Sequence, residues 1–215
     1  MDRKEQEELK RQLKTRDRAV RCISENGNFR IAAVKNTQTA RTAQERHGLP
    51  VLGAFLLARQ LSSASLIAAF LKGEERIITE ASGNGPVQKV YAEAMHIGEV
   101  RGHVNFNPDM EEAVITHVSD ALADGNYKVS RILYDKKEPV TGIVPLQKGD
   151  IATDLAAYFA SSEQIPSAVV LDADFDENEK IKSSGGILVQ AMPGASDEEL
   201  EELYDSLTKA ENLRE

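Results

Sequence analysis

The chain has 215 residues, enough for a domain that buries its own core without the help of a metal or a disulfide. Its net charge of −9 argues against nucleic acid as the main partner. Its one cysteine, Cys22, excludes an internal disulfide and a cysteine-based zinc site within this chain. We therefore expect a protein of a reducing compartment, the cytoplasm, with Cys22 as a small core residue on a strand.

The N-terminal segment is highly charged and lacks an apolar run. Met1–Arg18 carries seven basic and five acidic residues, which excludes a signal peptide. Asp2–Arg18 is predicted to form a charged helix or a frayed arm.

A hairpin and two helices are predicted next. The turn Glu25–Asn28 contains Asn-Gly between two apolar runs, which is the strongest short signal for a hairpin. A helix over Thr37–His47 ends before a glycine, and a long apolar helix over Pro50–Lys72 follows. Because Arg59 lies near the centre of that apolar helix, the pattern favours a buried helix over a membrane span.

The rest of the chain alternates irregularly between strands and helices. Asp109 is predicted to cap one helix and Asp150 another. The predicted elements are strands Arg76–Ala81, Val87–Ala94 and Glu99–Val104, a helix Met110–Ala123, a hairpin of Tyr127–Tyr134 and Val140–Leu146, a helix from Asp150 through Ser161, and strands Ala168–Ala173 and Ile181–Met192. Runs of strands without strict β-α-β alternation predict an α+β fold with mixed or antiparallel sheets packed with helices.

No motif supports catalysis, so we expect a protein that is not an enzyme. Gly83 and Gly85 begin a G-x-G pattern, but Gln88 stands where a dinucleotide loop needs its third glycine, which favours a simple turn. The acidic loop Asp172–Asp176 lacks the glycine and the final glutamate of a calcium loop and is interpreted as a solvated hairpin tip. The histidines at positions 47, 96, 103 and 117 show no metal-ligand spacing.

The C-terminal segment predicts an amphipathic helix. Ser196 and Glu199 form an S-x-x-E capping box. An apolar stripe follows at helical spacing, and its members are Leu200, Leu203, Tyr204 and Leu207. Ser196–Glu215 carries eight acidic and two basic residues. Such a helix covers an apolar groove or is one more packed element, and the pattern alone leaves both interpretations open.

A series of short motifs follows in a fixed order along the last third of the chain. The series begins with Gly149-Asp150-Ile151-Ala152 and Tyr158-Phe159. It continues with Ser162-Glu163-Gln164-Ile165-Pro166, Gly185-Gly186 and Val189-Gln190-Ala191-Met192-Pro193-Gly194-Ala195. This order and spacing resembles the heat-shock protein 33 family of redox-regulated chaperones, and the resemblance runs from about Asp17 to Ala195.

The resemblance implies a chaperone core over residues 1–195 and the start of a linker helix over 196–215. It further implies an ATP-independent holdase that binds unfolding client proteins through exposed apolar surface, and a possible homodimer. We expect neither nucleic acid nor a membrane as a partner. The client-binding or covering residues are expected to be Leu200, Leu203, Tyr204 and Leu207.

The family's zinc domain, with its four cysteines, has no counterpart in this chain, which ends at Glu215 inside the expected linker. We therefore expect no cofactor here and no redox switch. Two explanations stay open: a fragment of a longer protein, or a natural short relative. A scaffold or dimerisation domain that retains the fold without holding activity is the alternative function.

Overall fold

Two antiparallel sheets are packed against a central apolar helix. The computed structural model describes residues 16–96, 98–110, 115–134 and 138–209. The predicted charged segment Asp2–Arg18 lies almost entirely outside the described residues. The strands are β1 (Arg18–Ile23), β2 (Phe29–Lys35), β3 (Arg76–Gly83), β4 (Val87–Met95), β5 (Val100–Phe106), β6 (Gly125–Ile132), β7 (Val140–Pro145), β8 (Ser167–Phe175) and β9 (Ile181–Ala191). The α-helices are α1 (Thr37–His47), α2 (Val51–Ala68), α3 (Val118–Leu122), α4 (Ile151–Tyr158) and α5 (Asp197–Lys209).

The chain leaves one sheet and returns to it. Strands β1, β2, β9 and β8 form a four-stranded sheet in that order, and β5, β4, β3, β6 and β7 form a five-stranded sheet. All described strand pairs are antiparallel. The predicted α+β class is confirmed, and the first two and last two described strands, β1–β2 and β8–β9, meet in one sheet.

Helix α2 is the centre of the core. It touches strands of both sheets, and its leucines Leu56, Leu61 and Leu66 are buried. It is long and apolar enough to cross a membrane, but 72% of it is buried inside the protein. The expected buried helix is confirmed. It ends at Ala68 and does not continue to Lys72, because the N–H groups of Phe70 and Leu71 donate to carbonyls three residues back, in the tighter turns of a helix end.

Two glycines at and just after the end of β3, Gly83 and Gly85, allow close approach of two backbones. A Cβ at Gly85 would lie 2.6 Å from the carbonyl oxygen of Ala121, and the backbone N–H of Gly85 donates to the carbonyl of Leu122 at 3.0 Å. A Cβ at Gly83 would overlap that same carbonyl. These glycines are therefore needed for packing against α3, in agreement with the predicted turn.

Two expectations from the sequence are wrong. Cys22 lies on a strand as predicted, but it is exposed, because β1 is an edge strand whose six residues are all exposed. The helix expected over Met110–Ala123 is reduced, among its described residues, to a short 3-10 turn ending at Met110 and the five-residue α3. The cause is a new helix start, where the backbone N–H of His117 donates to the Asp120 carboxylate at 2.9 Å.

Candidate functional site

The four-stranded sheet is apolar on both of its faces. Residues directly opposite each other on neighbouring strands share a face, so the register assigns every side chain to one side. Ala32 and Leu188 are opposite each other and belong to the main core with α2. That side is the inner face of the sheet.

The other side, which we call the outer face, carries two neighbouring apolar rows, followed by a polar row of Arg18, Lys35, Gly185 and Asp172. In the first row Ile31 is opposite Cys22 and Val189, and Val189 is opposite Ala168. The second row is formed by Val20, Ala33, Ile187 and Val170 in strand order. A sheet that packs on only one side normally carries polar residues on the other. The outer face therefore needs a cover or a binding partner.

Helix α5 covers one end of the outer face. Leu200 and Leu203 pack against a cluster whose buried members are Phe29, Ala168 and Val189. The helix begins at the predicted capping box: the Glu199 carboxylate accepts from the backbone N–H of Ser196 at 3.0 Å, and the Ser196 hydroxyl accepts from the N–H of Glu199 at 3.2 Å. The sequence signal for this helix start is confirmed.

The predicted apolar stripe of α5 is divided by the structure. Leu200 and Leu203 are half-buried and lie together against the sheet. Tyr204 is 43% exposed. The side chain of Leu207 lies outside what the structure describes. The structure thus brings two of the four predicted residues to the apolar cluster, and their role as a client or covering surface stays a prediction.

The second apolar row lies beside an open cavity. Ala33, Val170 and Ile187 line this cavity of about 780 Å³, and charged side chains surround them. The charged lining residues are Arg18, Lys35, Arg41, Asp172, Asp174 and Lys182. Beyond the cavity, at the edge of the sheet, Val20 is 57% exposed. We call this part of the outer face, Val20, Ala33, Val170 and Ile187, the open half. An apolar floor with a charged rim is the composition typical of a protein-binding surface.

The acidic segment that begins like a calcium loop leads into a hairpin turn. The acidic loop after β8 is a hairpin tip in which the Asp176 carboxylate accepts from the N–H groups of Asn178 and Lys180 at 2.9 and 3.0 Å. The hydrogen bond from Lys180 in particular lowers the pKa of Asp176 below its ordinary value. The hairpin tip forms, but the predicted bounds are wrong: Asp172–Phe175 extend β8, and the tip spans residues 176–180.

The family resemblance implies a zinc site of four cysteines, and the residues present do not fit one. The chain has a single cysteine, Cys22, which is exposed on the edge strand. Within the described part of the chain, His, Cys, Asp and Glu side chains form no group of three or more that could hold a metal ion. No zinc ligand is therefore assigned to any residue here.

The outer face was missed by the sequence analysis, although a signal for it exists. Strands β2 and β9 carry apolar residues at both odd and even positions, as in Phe29–Val34 and Ile187–Ala191. Such continuous runs are typical of strands that are covered on both faces. The sequence does not show which of the two alternating sets of side chains on these strands faces the core.

Comparison with known proteins assigns the fold and the family. A model of the Hsp33 protein family matches residues 17–215. The 33 kDa chaperonin of Streptococcus thermophilus is 37% identical over 187 residues, which is 86% of this chain and 65% of that protein. The 33 kDa chaperonin of Desulforamulus reducens is 35% identical over 201 residues, 92% of this chain and 68% of its own length.

A solved structure agrees with the same assignment. The crystal structure of the 33 kDa chaperonin of Thermotoga maritima, a heat shock protein 33 homologue, matches with a TM-score of 0.78 at 32% identity and covers 89% of this chain and 67% of that one. This chain thus spans about two thirds of the length of the relatives it matches. The chain belongs to the Hsp33 family of chaperonins.

Proposed function

We propose that this chain is the client-binding part of an ATP-independent holdase. The outer face of the four-stranded sheet is its client-binding surface, and α5 is the helix that covers part of that surface. The observation that carries the proposal is an apolar sheet face of which one end is packed under α5 while the open half borders a cavity. The unfolding proteins that occupy it are bound in the cytoplasm.

Binding an unfolding protein without ATP requires little more than an exposed apolar surface of this kind. An unfolding protein exposes aliphatic and aromatic side chains, and their burial against another apolar surface is favourable by about 25 cal/mol per Å² without an energy source. The charged residues around the open half keep the free surface soluble. No nucleotide or metal chemistry enters this step.

Among the described side chains of α5, two leucines hold the cover on the sheet, and we infer that it can leave. A helix of 13 residues is marginal in water by itself, so α5 depends on docking for its stability. Leu200 and Leu203 are half-buried and provide the apolar contact of this helix with the cluster on the sheet. We therefore assign residues 1–195 to the holding domain and 196–215 to the covering segment.

Light scattering of a thermally unfolding enzyme, under reducing conditions, tests the proposal. We expect the chain to suppress aggregation, and Leu203→Ala with Leu207→Ala to suppress it more strongly and to bind more of a hydrophobic dye. Glu202→Ala, an exposed change on the same helix, is the control that leaves both signals at the parent level. Ile187→Asp, in the open half, is expected to reduce suppression. Full scattering with both the parent and the double variant contradicts the holdase.

The alternative is a dimerisation scaffold, and one observation favours it. Strand β1 lies at the edge of its sheet, and Val20 and Ile23 are 57% and 62% exposed. Exposed edge strands can pair with a second chain. Analytical ultracentrifugation and light scattering of the parent and of Ile23→Lys, an exposed edge-strand position outside the open half, distinguish the functions: a scaffold loses its dimer and never suppresses aggregation, whereas a holdase suppresses it in either state.

A further inference from the structure

Asn28, at the end of the first hairpin turn, contacts both ends of the connection between β9 and α5. Its carbonyl oxygen accepts from the backbone N–H of Met192 at 2.8 Å, where β9 ends. Its side-chain Nδ2 donates to both carboxylate oxygens of Glu199, each at 3.2 Å, in the first turn of α5. The two contacts bridge 164 or more positions of sequence and come from one residue.

Asn28 is itself held in place by its own turn. Its backbone N–H donates to the side-chain oxygen of Asn26 at 3.1 Å, so the turn is closed by side chains as well as by the strands. Its Oδ1 lies 3.8 Å from the position that a Cβ would take on Gly194. Gly194 has a φ of 109°, so the connection turns closely around this amide.

The carboxylate that Asn28 binds is also the one that starts the helix. Glu199 accepts from the Ser196 N–H in the capping box and from Asn28 at the same time. A hydrogen bond to an ionised carboxylate is about twice as strong as one between neutral groups. Formation of the first turn of α5 and docking of α5 on the hairpin therefore both depend on the Glu199 side chain. Each of the two processes favours the other.

We propose that Asn28 is the positioning residue that holds α5 on the outer face of the sheet. The pair Asn28–Glu199 couples the start of the helix to the hairpin, so that α5 unwinds and undocks in one step. The coupling itself is a property of the fold. Its consequence, control of access to the client surface, rests on the function proposed above.

Hydrogen exchange tests the coupling without any client. Asn28→Asp keeps the shape of the side chain but places a second carboxylate against Glu199, and we expect amides of α5 between Leu200 and Ser206 to exchange at least tenfold faster. Amides of β9 are expected to keep their protection, which shows that the core is folded. Asn105→Asp, at an exposed position of the other sheet, is the matched control. Unchanged exchange of α5 in Asn28→Asp overturns the proposal.

A swap variant separates the contact from damage to the turn. Asn28→Asp combined with Glu199→Gln exchanges the amide and the carboxylate, and glutamine also serves in a capping box. We expect the swap to restore the exchange rates of α5 to within about threefold of the parent. Rates that stay at the level of Asn28→Asp overturn the proposal, because the effect then comes from the turn and not from the pair.

The two proposals fail in different ways. If α5 exchanges faster in Asn28→Asp but neither the parent nor the variant suppresses client aggregation, the coupling stands and the holdase is contradicted. If aggregation is suppressed but the exchange of α5 does not respond to the substitution, the holdase stands and the role of Asn28 is overturned.

Discussion

Arg59, in the middle of the apolar helix α2, forms an ion pair with Asp150, the residue that caps α4. The same carboxylate accepts from the backbone N–H and the hydroxyl of Thr153, at 3.2 and 2.9 Å. The guanidinium also lies 5.0 Å from the centre of the Phe55 ring. The arginine that argues against a membrane span therefore joins the central helix to the start of α4.

Removing this arginine is expected to destabilise the fold. Arg59→Met retains the apolar stem but leaves Asp150, 32% exposed, without its cation. We expect the free energy of unfolding to fall by about 2 kcal/mol. This is less than the roughly 3–5 kcal/mol typical of breaking a fully buried ion pair, because water and Thr153 still solvate the carboxylate. The measurement is urea unfolding. Lys182→Met, which removes an exposed cation 3.8 Å from Asp174, is the control and is expected to change stability by less than about 0.5 kcal/mol.

The core position of α2 predicts that truncating one of its buried leucines lowers the free energy of unfolding more than removing Arg59 does. Leu61 is 1% exposed, and Leu61→Ala removes buried methyl groups and leaves a cavity between the sheets. The expected loss in free energy of unfolding is about 2–5 kcal/mol. Val51→Ala, on the same helix at 36% exposure, is expected to cost less than about 1 kcal/mol. Equal losses at the two positions, in denaturant titrations, would contradict the central position of α2.

The backbone contact at Gly85 predicts a local steric effect. Gly85→Ala places a methyl group 2.6 Å from the carbonyl oxygen of Ala121, so β3, β4 and α3 have to separate. We expect a loss of about 1–3 kcal/mol, the usual cost of overpacking. Gln88→Ala, exposed on the same hairpin, is the control. Thermal unfolding of both variants checks this prediction, and a neutral Gly85→Ala would show that the turn is free to move.

The buried carboxyl of Asp154 predicts an unusual pH dependence. Burial raises the pKa of Asp154, although the N–H groups of Gln147 and Lys148 donate to one of its oxygens and act in the opposite direction. The folded state therefore binds this proton more tightly than the unfolded state. Its contribution to stability is full below the ordinary aspartate pKa of about 4 and is lost as the pH rises through the raised pKa.

Asp154→Asn removes that titration. The difference in unfolding free energy between the variant and the parent is expected to increase as the pH rises from about 4 to 7, since the parent alone loses stability through this group. Glu80 provides the contrast: burial alone would raise its pKa, but Lys128 and Lys89, at 3.0 and 3.2 Å, lower it. Glu80→Gln is therefore expected to lose stability relative to the parent as the pH rises through the lowered pKa to the ordinary glutamate value of about 4.5, and to show no further change above it. If the free energy of unfolding relative to the parent changes with pH in the same direction for both variants, the raised pKa of Asp154 and the lowered pKa of Glu80 cannot both be right.

Local signals in the sequence predicted the local features correctly. The Asn-Gly turn at Gly27, the cap at Asp150 and the capping box at Ser196 all form, because each depends on side chains within a few residues of the backbone groups that they bind. The helix expected to run from Met110 failed for the same reason. Its start was assigned to Asp109, whereas the local bond between His117 and Asp120 begins the helix eight residues later.

The exposure of Cys22 and the existence of the outer face depend on distant parts of the chain. An apolar strand residue is buried only if another strand or helix covers it, and β1 lies at the edge of its sheet. The register of Ile31 with Val189 is set by pairing across more than 150 positions. Spacing along the sequence carries no information about such a pairing.

The sequence by itself determined the α+β class, the buried central helix, the helix starts at Asp150 and Ser196 and, through its motifs, the family. Only the tertiary structure decided which face of the four-stranded sheet α2 covers, which half of the opposite face α5 covers, and that Asn28 meets Glu199. The reason is physical: hydrogen bonds within a turn are local and can be predicted from residue type and spacing, whereas burial is a property of surfaces that come together from opposite ends of the chain.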